Sequence, residues 1–223
     1  VATTYFGGGK NEDEKFHSNF SNFGYVVSSP KSSKEWKRIN LAFGYNKTAN
    51  YKKRTYISGE NNSTSMIDNF VSNAQGNTID NLNGFTELLA WNTYLFDPLD
   101  TIDNGNYISN LNSSSRKKQE KVINSNGSLG EYVFSVGTSY EDIIYLGATI
   151  GIPSIDYYEK SNYIESEFND TAAHLQSFDH DEKLTTTGKG FNLKIGVITR
   201  INDWIRVGGT LHSPTFYDME DEY

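Results

Sequence analysis

The chain has 223 residues, a length that suits one large domain or two small ones. Twenty basic and 28 acidic side chains leave a net charge of −8, which argues against a general nucleic-acid binder with its basic footprint. The absence of cysteine excludes a disulfide scaffold, cysteine-ligated zinc and thiol catalysis, and no apolar run reaches the ~20 residues of a membrane helix. Mean hydropathy is −0.61. That value fits a soluble protein and equally a membrane β-barrel, in which only every second strand residue is apolar. Val1 opens in mid-pattern, which reads as a mature chain or a fragment.

In chain order, residues 1–5 read as the end of a strand, and 6–20 as a long connection. A weak alternation runs through Phe23, Tyr25 and Val27. Over 36–45, Ile39, Leu41, Phe43 and Tyr45 oppose Arg38, Asn40, Ala42 and Gly44. Residues 57–126 form a long connection. Over 131–140, Tyr132, Phe134, Val136, Thr138 and Tyr140 share one face. Over 144–152, Ile144, Leu146, Ala148, Ile150 and Ile152 do the same. After a connection at 158–188, Phe191, Leu193, Ile195 and Val197 oppose Asn192, Lys194, Gly196 and Ile198. Finally Ile205, Val207, Gly209 and Leu211 oppose Arg206, Gly208, Thr210 and His212. Each is the period-2 signature of a strand with two unlike faces.

Short polar turns at 31–35, 139–143 and 201–203 alternate strictly with the long connections. A meander built this way gathers its tight turns at one end and its long loops at the other, as outer-membrane barrels do. A soluble up-and-down barrel or a sandwich also alternates, with the apolar face inward. Two features favour the membrane version. Aromatics such as Trp36, Tyr132, Tyr140, Phe191 and Trp204 sit near strand ends, where headgroup belts lie. The polar face carries Arg38, Lys194, Arg200 and Arg206, which a dry core would leave unpaired and a wet lumen would solvate. The expected fold is all-β: a transmembrane antiparallel up-and-down β-barrel over 1–223.

Within 57–126 the period changes. Met66, Ile67, Phe70, Val71 and Ala74 repeat at helical spacing and stop at Gly76, with Ser63, Thr64 and Ser65 offering the N-cap. A second helix is expected over about 79–95, with Leu82, Phe85, Leu88, Leu89 and Leu95 as its stripe. Residues 99–126 read as loop. The long extracellular loop therefore carries two amphipathic helices.

No Gly-x-Ser-x-Gly, phosphate loop or zinc spacing occurs, and His17, His174, His180 and His212 are scattered. Asp179-His180-Asp181-Glu182 and the acidic run 218–222 read as charged loop tips. The chain is expected to be no enzyme and to need no cofactor or metal.

The runs Gly190-Phe191-Asn192-Leu193-Lys194-Ile195-Gly196, Asp203-Trp204-Ile205-Arg206-Val207-Gly208 and His212-Ser213-Pro214-Thr215-Phe216-Tyr217 resemble the FadL/TodX-type outer-membrane transporters of Bacteroidetes. So do Gly130-Glu131-Tyr132-Val133-Phe134-Ser135, Tyr145-Leu146-Gly147-Ala148-Thr149-Ile150-Gly151, and Tyr56-Ile57-Ser58-Gly59 with the helical loop down to Ala90-Trp91-Asn92-Thr93-Tyr94. The resemblance implies a fourteen-stranded barrel, of which about seven strands are legible here. It implies diffusion of hydrophobic small molecules, long-chain fatty acids typically, across the outer membrane of a Gram-negative bacterium. It implies that outer-loop helices capture the ligand in an apolar groove, that an N-terminal hatch plugs the lumen, and that ligand leaves sideways at a strand irregularity.

The hatch and a C-terminal membrane strand are not legible, and the sequence reads as the N-proximal part of a longer protein. Candidate ligand-binding residues are Phe70, Val71, Phe85, Leu88, Leu89 and Trp91, which equally suit simple helix packing. Expected partners are the hydrophobic ligand, outer-membrane lipid and other outer-membrane chains, with no nucleic acid. The alternative function is a non-transporting barrel subunit of an outer-membrane complex.

Overall fold

In a computed structural model of the chain, residues 2–6, 8–13, 20–30, 33, 35–100, 105–112, 114–169 and 175–223 are described. His17, His174 and part of the turn at 31–35 lie outside them. Among the described residues twelve strands and two α-helices follow one another: β1 (Ala2–Phe6), β2 (Gly9–Asp13), β3 (Asn22–Pro30), β4 (Trp36–Asn50), β5 (Lys53–Asn61), α1 (Met66–Ala74), α2 (Glu87–Asn92), β6 (Phe96–Pro98), β7 (Tyr107–Ser109), β8 (Lys117–Tyr140), β9 (Ile144–Ser166), β10 (Ser177–Arg200), β11 (Arg206–His212) and β12 (Phe216–Glu222). The protein is mostly β, built on one large antiparallel sheet.

That sheet has eight strands in the order β11-β10-β9-β8-β4-β3, with β12 also on β10 and β5 also on β8. Because β11 pairs with residues 194–200 and β12 with 185–191 of the same strand, the two share one place beside β10. With β5 and β12 both off it, the path across the sheet is six strands wide, where the alternation alone suggests about seven strands. Residues 1–5 do strand-pair, but only with β2, in a separate hairpin.

Several strands run further than their apolar alternation. β9 continues to Ser166, β10 begins at Ser177 and β8 begins at Lys117, all inside stretches expected to be loop. These extensions carry polar residues on both faces, with apolar ones such as Ile155, Ile164 and Phe178 scattered among them, so they give no sustained period-2 hydrophobic signal. The acidic run 218–222, expected to be loop, belongs to β12, where Asp218 lies opposite Lys189; opposite charges facing across a ladder support the pairing.

By chain contacts the residues group into two compact units. Unit 1 comprises Val1–Glu14, Arg54–Ile123 and Ser161–Glu182; unit 2 comprises Lys15–Lys53, Asn124–Lys160 and Lys183–Tyr223. Unit 1 holds a conventional core of Ile67, Phe70, Ala74, Leu82, Ala90, Leu95, Phe96, Tyr107 and Leu111. Among the described residues of unit 2, Pro153 is buried, but no alanine, valine, leucine, isoleucine, methionine or aromatic side chain is.

The turn from β8 to β9 is tight. Ile143 N–H donates to Tyr140 O at 2.9 Å, and the two central residues, Glu141 and Asp142, have φ of 49° and 58°. Positive φ at both positions is the type I′ geometry that matches strand twist, and it favours Asn-Gly over Glu-Asp. Replacing Glu141-Asp142 with Asn-Gly is expected to stabilise the fold by about 1 kcal/mol. The check is the urea unfolding midpoint, which should rise with no change in the slope of the transition.

Candidate functional site

The helices of unit 1 form where the sequence supplies both a period and a cap. Ser65 caps α1: its Oγ accepts from Ile67 N–H at 3.1 Å, while Asp68 accepts from Ser65 N–H at 2.7 Å, a reciprocal capping box. A second acid reinforces this end. Glu165, from β9, is fully buried and accepts from Ser65 Oγ at 2.6 Å, Met66 N–H at 2.8 Å and Gln119 Nε2 at 2.9 Å, and also from the Tyr163 hydroxyl. A carboxylate at a helix N-terminus neutralises unpaired amides and the positive end of the helix dipole.

Beside it Lys117 is fully buried, its Nζ donating to Thr64 O at 3.2 Å. Burial pushes its ammonium below the ordinary range, and the charges of Glu165 and Asp68 oppose that shift. Tyr163 is pushed up by burial and by its hydrogen bond to Glu165. These bonds fix α1 on β8 and β9 within unit 1.

The second helix is shorter than its apolar stripe suggests. A 3₁₀ turn over Ile79–Asn81 comes first, and α2 covers only Glu87–Asn92. Asn83-Gly84 intervenes, and Asn83 Oδ1 accepts from Phe85 N–H at 2.9 Å, a local turn that competes with helix.

The six candidate ligand-binding residues divide. Phe70 is 5% exposed and belongs to the core; Val71, Leu88 and Trp91 pack against it. Trp91 meets Phe96 and Tyr107 edge-on or tilted at 5.7 and 5.8 Å between ring centroids. Phe85 and Leu89 face outward, 70% and 49% exposed. Two of the six are therefore available to a molecule arriving from solution, and the other four hold the helices in place.

Unit 2 inverts the usual order of a sheet. Tyr132, Phe134 and Val136 are exposed, whereas their neighbours Glu131, Val133, Ser135 and Gly137 are partly covered. In β10, Phe191, Leu193, Ile195 and Val197 are exposed, while Asn192 is buried and Lys194 and Gly196 are partly covered. β9 repeats this, with Leu146, Ile150 and Ile152 exposed and Gly151 buried.

Aromatic rings border the apolar face. At one border Phe23, Phe43, Tyr45, Tyr132 and Phe134 form a chain of neighbours, with centroids 4.9–6.4 Å apart. At the other, Trp36 meets Tyr140 edge-on at 5.2 Å, and Trp204 is almost wholly exposed. From Tyr132 to Tyr140 the strand covers about 26 Å at ~3.3 Å per residue.

The opposite face is polar and connected. Glu131 of β8 accepts from Lys194 Nζ at 3.0 and 3.1 Å and from Asn192 Nδ2 at 2.8 Å, both from β10. Gly151 of the intervening β9 makes the crossing possible, because a Cβ there would strike Glu131 Oε1 and Asn192 Oδ1. Asn192 Nδ2 also donates to Thr215 Oγ1 at 3.3 Å. With its amide nitrogen turned to the carboxylate, Asn192 leaves Oδ1 buried without a hydrogen-bond partner, a cost of about 1–3 kcal/mol.

Near the Lys194 end lies a depression of about 620 Å³. Lys194, His212, Thr149 and Thr210 line it, with Gly147 and Gly196 as floor. The Glu131–Asn192–Lys194 link was not legible from spacing, since its partners lie 61 and 63 residues apart. Arg38 and Arg206 are exposed and Arg200 is partly covered. No group of three or more metal-ligating side chains occurs among the described residues.

Comparison with known proteins finds no matching family model, no matching curated protein and no matching solved structure.

Two carboxyls outside the apolar band tie unit 1 to pH. The hydrogen bond from Tyr56 holds Glu120 below its ordinary 4.5, against the opposing effect of burial and with help from Lys118. For Glu87, burial acts upward but is outweighed by hydrogen bonds from Thr86, its own amide, Asn73 and Asn83, so it too lies below 4.5. A depressed carboxyl contributes stability that is complete above the unfolded value and is lost as pH falls through the folded one. The thermal midpoint of unit 1 is therefore expected to stay level from pH 7 to about 5 and to fall below about 4.5. Trp91 emission in a Trp36→Phe, Trp204→Phe background reads this, and Glu120→Gln should flatten the fall.

Proposed function

We propose that unit 2 is a piece of outer-membrane β-barrel wall, with its apolar band against lipid and its polar face toward a wet lumen, and that the protein carries hydrophobic small molecules such as long-chain fatty acids across that membrane by diffusion. One observation carries the reading: across β8, β9 and β10 the large apolar side chains of one face are exposed, while Glu131, Asn192 and Lys194 of the other are covered or partly covered and linked. Leaving Phe134, Val136, Leu146, Ile150, Leu193, Ile195, Val197 and Leu211 half in water forfeits on the order of 10 kcal/mol of burial, about the whole net stability of a domain. Contact with lipid tails removes that deficit. An exposed apolar surface of this extent marks a membrane or a partner, and the nine residues from Tyr132 to Tyr140, between the two aromatic borders of β8, match the 9–11 residues of a membrane strand.

No helix of the described residues is long and apolar enough to cross a membrane, and strands are the other means of crossing one. In hydrocarbon the backbone of the edge strands β3 and β11–β12 requires partner strands, from this polypeptide or another. The cargo follows from the family resemblance and from the outward Phe85 and Leu89, which offer apolar area to a ligand at about 0.8 kcal/mol per CH₂ group buried. Such transfer needs area rather than a nucleophile or cofactor. The interruption at Ser213-Pro214-Thr215, between β11 and β12, is the strand irregularity through which a carried molecule would leave sideways. Proline there has no N–H to give the ladder.

Two measurements test this. The chain has no cysteine, so single cysteines at Leu193, Asn192, Ile195 and Gly196 take an environment-sensitive dye without background. Dyes at 193 and 195 should be quenched by spin-labelled lipid and those at 192 and 196 should not; equal quenching at all four rejects the membrane face. Vesicles with the protein should take up radiolabelled fatty acid faster than empty vesicles, and equal rates reject transport. Phe85→Asp with Leu89→Asp should weaken fatty-acid capture at least tenfold, and an unchanged affinity removes these two residues from the ligand path.

A further inference from the structure

Lys194, Asn192 and Glu131 do more than brace three strands. Two donors of β10 converge on a single carboxylate: the Lys194 ammonium spans both of its oxygens, and the Asn192 amide adds a third hydrogen bond. Thr215 sets the Asn192 amide by accepting from the same nitrogen. This is a set of donors shaped for a carboxylate, and charge-assisted bonds of this kind are the strong ones.

The carboxylate that fills it is the protein's own, brought from β8 across β9. Glycine at 151 is what lets it pass. The pair is not sealed: the Lys194 side chain keeps 31% of its exposure and Glu131 15%. Lys194 also lines the 620 Å³ depression, a volume within the range of small-molecule sites. A molecule seated there meets the ammonium directly, beside His212, Thr149 and Thr210.

We propose that Lys194 and Asn192 form a carboxylate-receiving site on the polar face, that Glu131 occupies it as an internal competitor, and that a monocarboxylate with a short apolar tail, lying in the adjoining depression, displaces Glu131. This deepens the transport reading and rests on it, because the polar face must be open to solute. The occupied state keeps Lys194 neutralised when no ligand is present. The exchange costs little net charge: one carboxylate leaves the ammonium as another arrives.

The test is calorimetric titration of the full chain in detergent with hexanoate, and with hexanol as the uncharged control. Wild type should bind hexanoate weakly. Glu131→Gln, which removes the competitor, should bind it at least tenfold tighter, with hexanol unchanged. Adding Lys194→Met to Glu131→Gln should abolish the gain.

Glu131→Ala provides a second route. It removes the competing carboxylate and leaves Lys194, Asn192 and Gly151 in place, so hexanoate should bind tighter than to wild type. If Glu131→Gln does not fold, Glu131→Ala decides. Hexanoate affinity equal to wild type in either variant that folds overturns the proposal, as does an equal gain for hexanol. If the labelled cysteines keep their lipid alternation and hexanoate gains nothing, the carboxylate site alone falls; if the alternation is lost, both readings fall.

Discussion

The inversion of unit 2 is the constraint on which the rest depends. Soluble sheets bury their apolar face and wet the other. Here the covered residues include Ser139, Thr186 and Asn192, and those left outside are leucines, isoleucines, valines and aromatics. No choice of rotamer repairs this, because side-chain direction in a strand is set by position, and a one-residue slip of register would be needed. The register shows no such slip: β4 meets β8 as Phe43 opposite Phe134 and Leu41 opposite Val136, and β10 meets β11 as Ile195 opposite Leu211. Apolar side chains meet across each ladder on the same exposed face, and under the proposed function lipid supplies the apolar medium around them.

Unit 1 follows the opposite rule, and the contrast is informative within one chain. Its helices bury Ile67, Phe70 and Ala74 in the ordinary way and satisfy a helix end with a carboxylate brought from a distant strand. Glu165 and Lys117 are wholly buried, so this part holds ionisable groups in place by hydrogen bonds and neighbouring charge. Replacing a buried charge is costly when its partner stays behind, so these groups add to the apolar core in holding α1 against β8 and β9.

Much of the sheet was legible because the alternation is long where it matters. Phe191 to Val197 and Tyr132 to Val136 announce both the strand and its two faces. The polar extensions at 153–166 and 177–190 were not legible, since with polar residues on both faces a strand looks like a loop. α1 was legible from its spacing and its Ser65 cap. α2 was overextended because Leu82, Phe85 and Leu95 mimic a helical stripe that Asn83-Gly84 interrupts. At the candidate site, spacing placed Phe70 and Phe85 on one list, and packing separates them. The link from Glu131 to Asn192 and Lys194 depends on which strands become neighbours; its only local trace is a glycine, Gly151, on the face where a polar residue would otherwise stand.

The count of six places across the sheet has a geometric corollary. Five successive antiparallel steps leave β3 and the β11–β12 edge pointing in opposite directions. A ring closed from this wall obeys parity: the two margins either meet each other or are joined by a whole number of hairpins, never by an odd strand. Every such hairpin would have to repeat the same bipartite grain, greasy outside and wet within, if the ring is to sit in a bilayer.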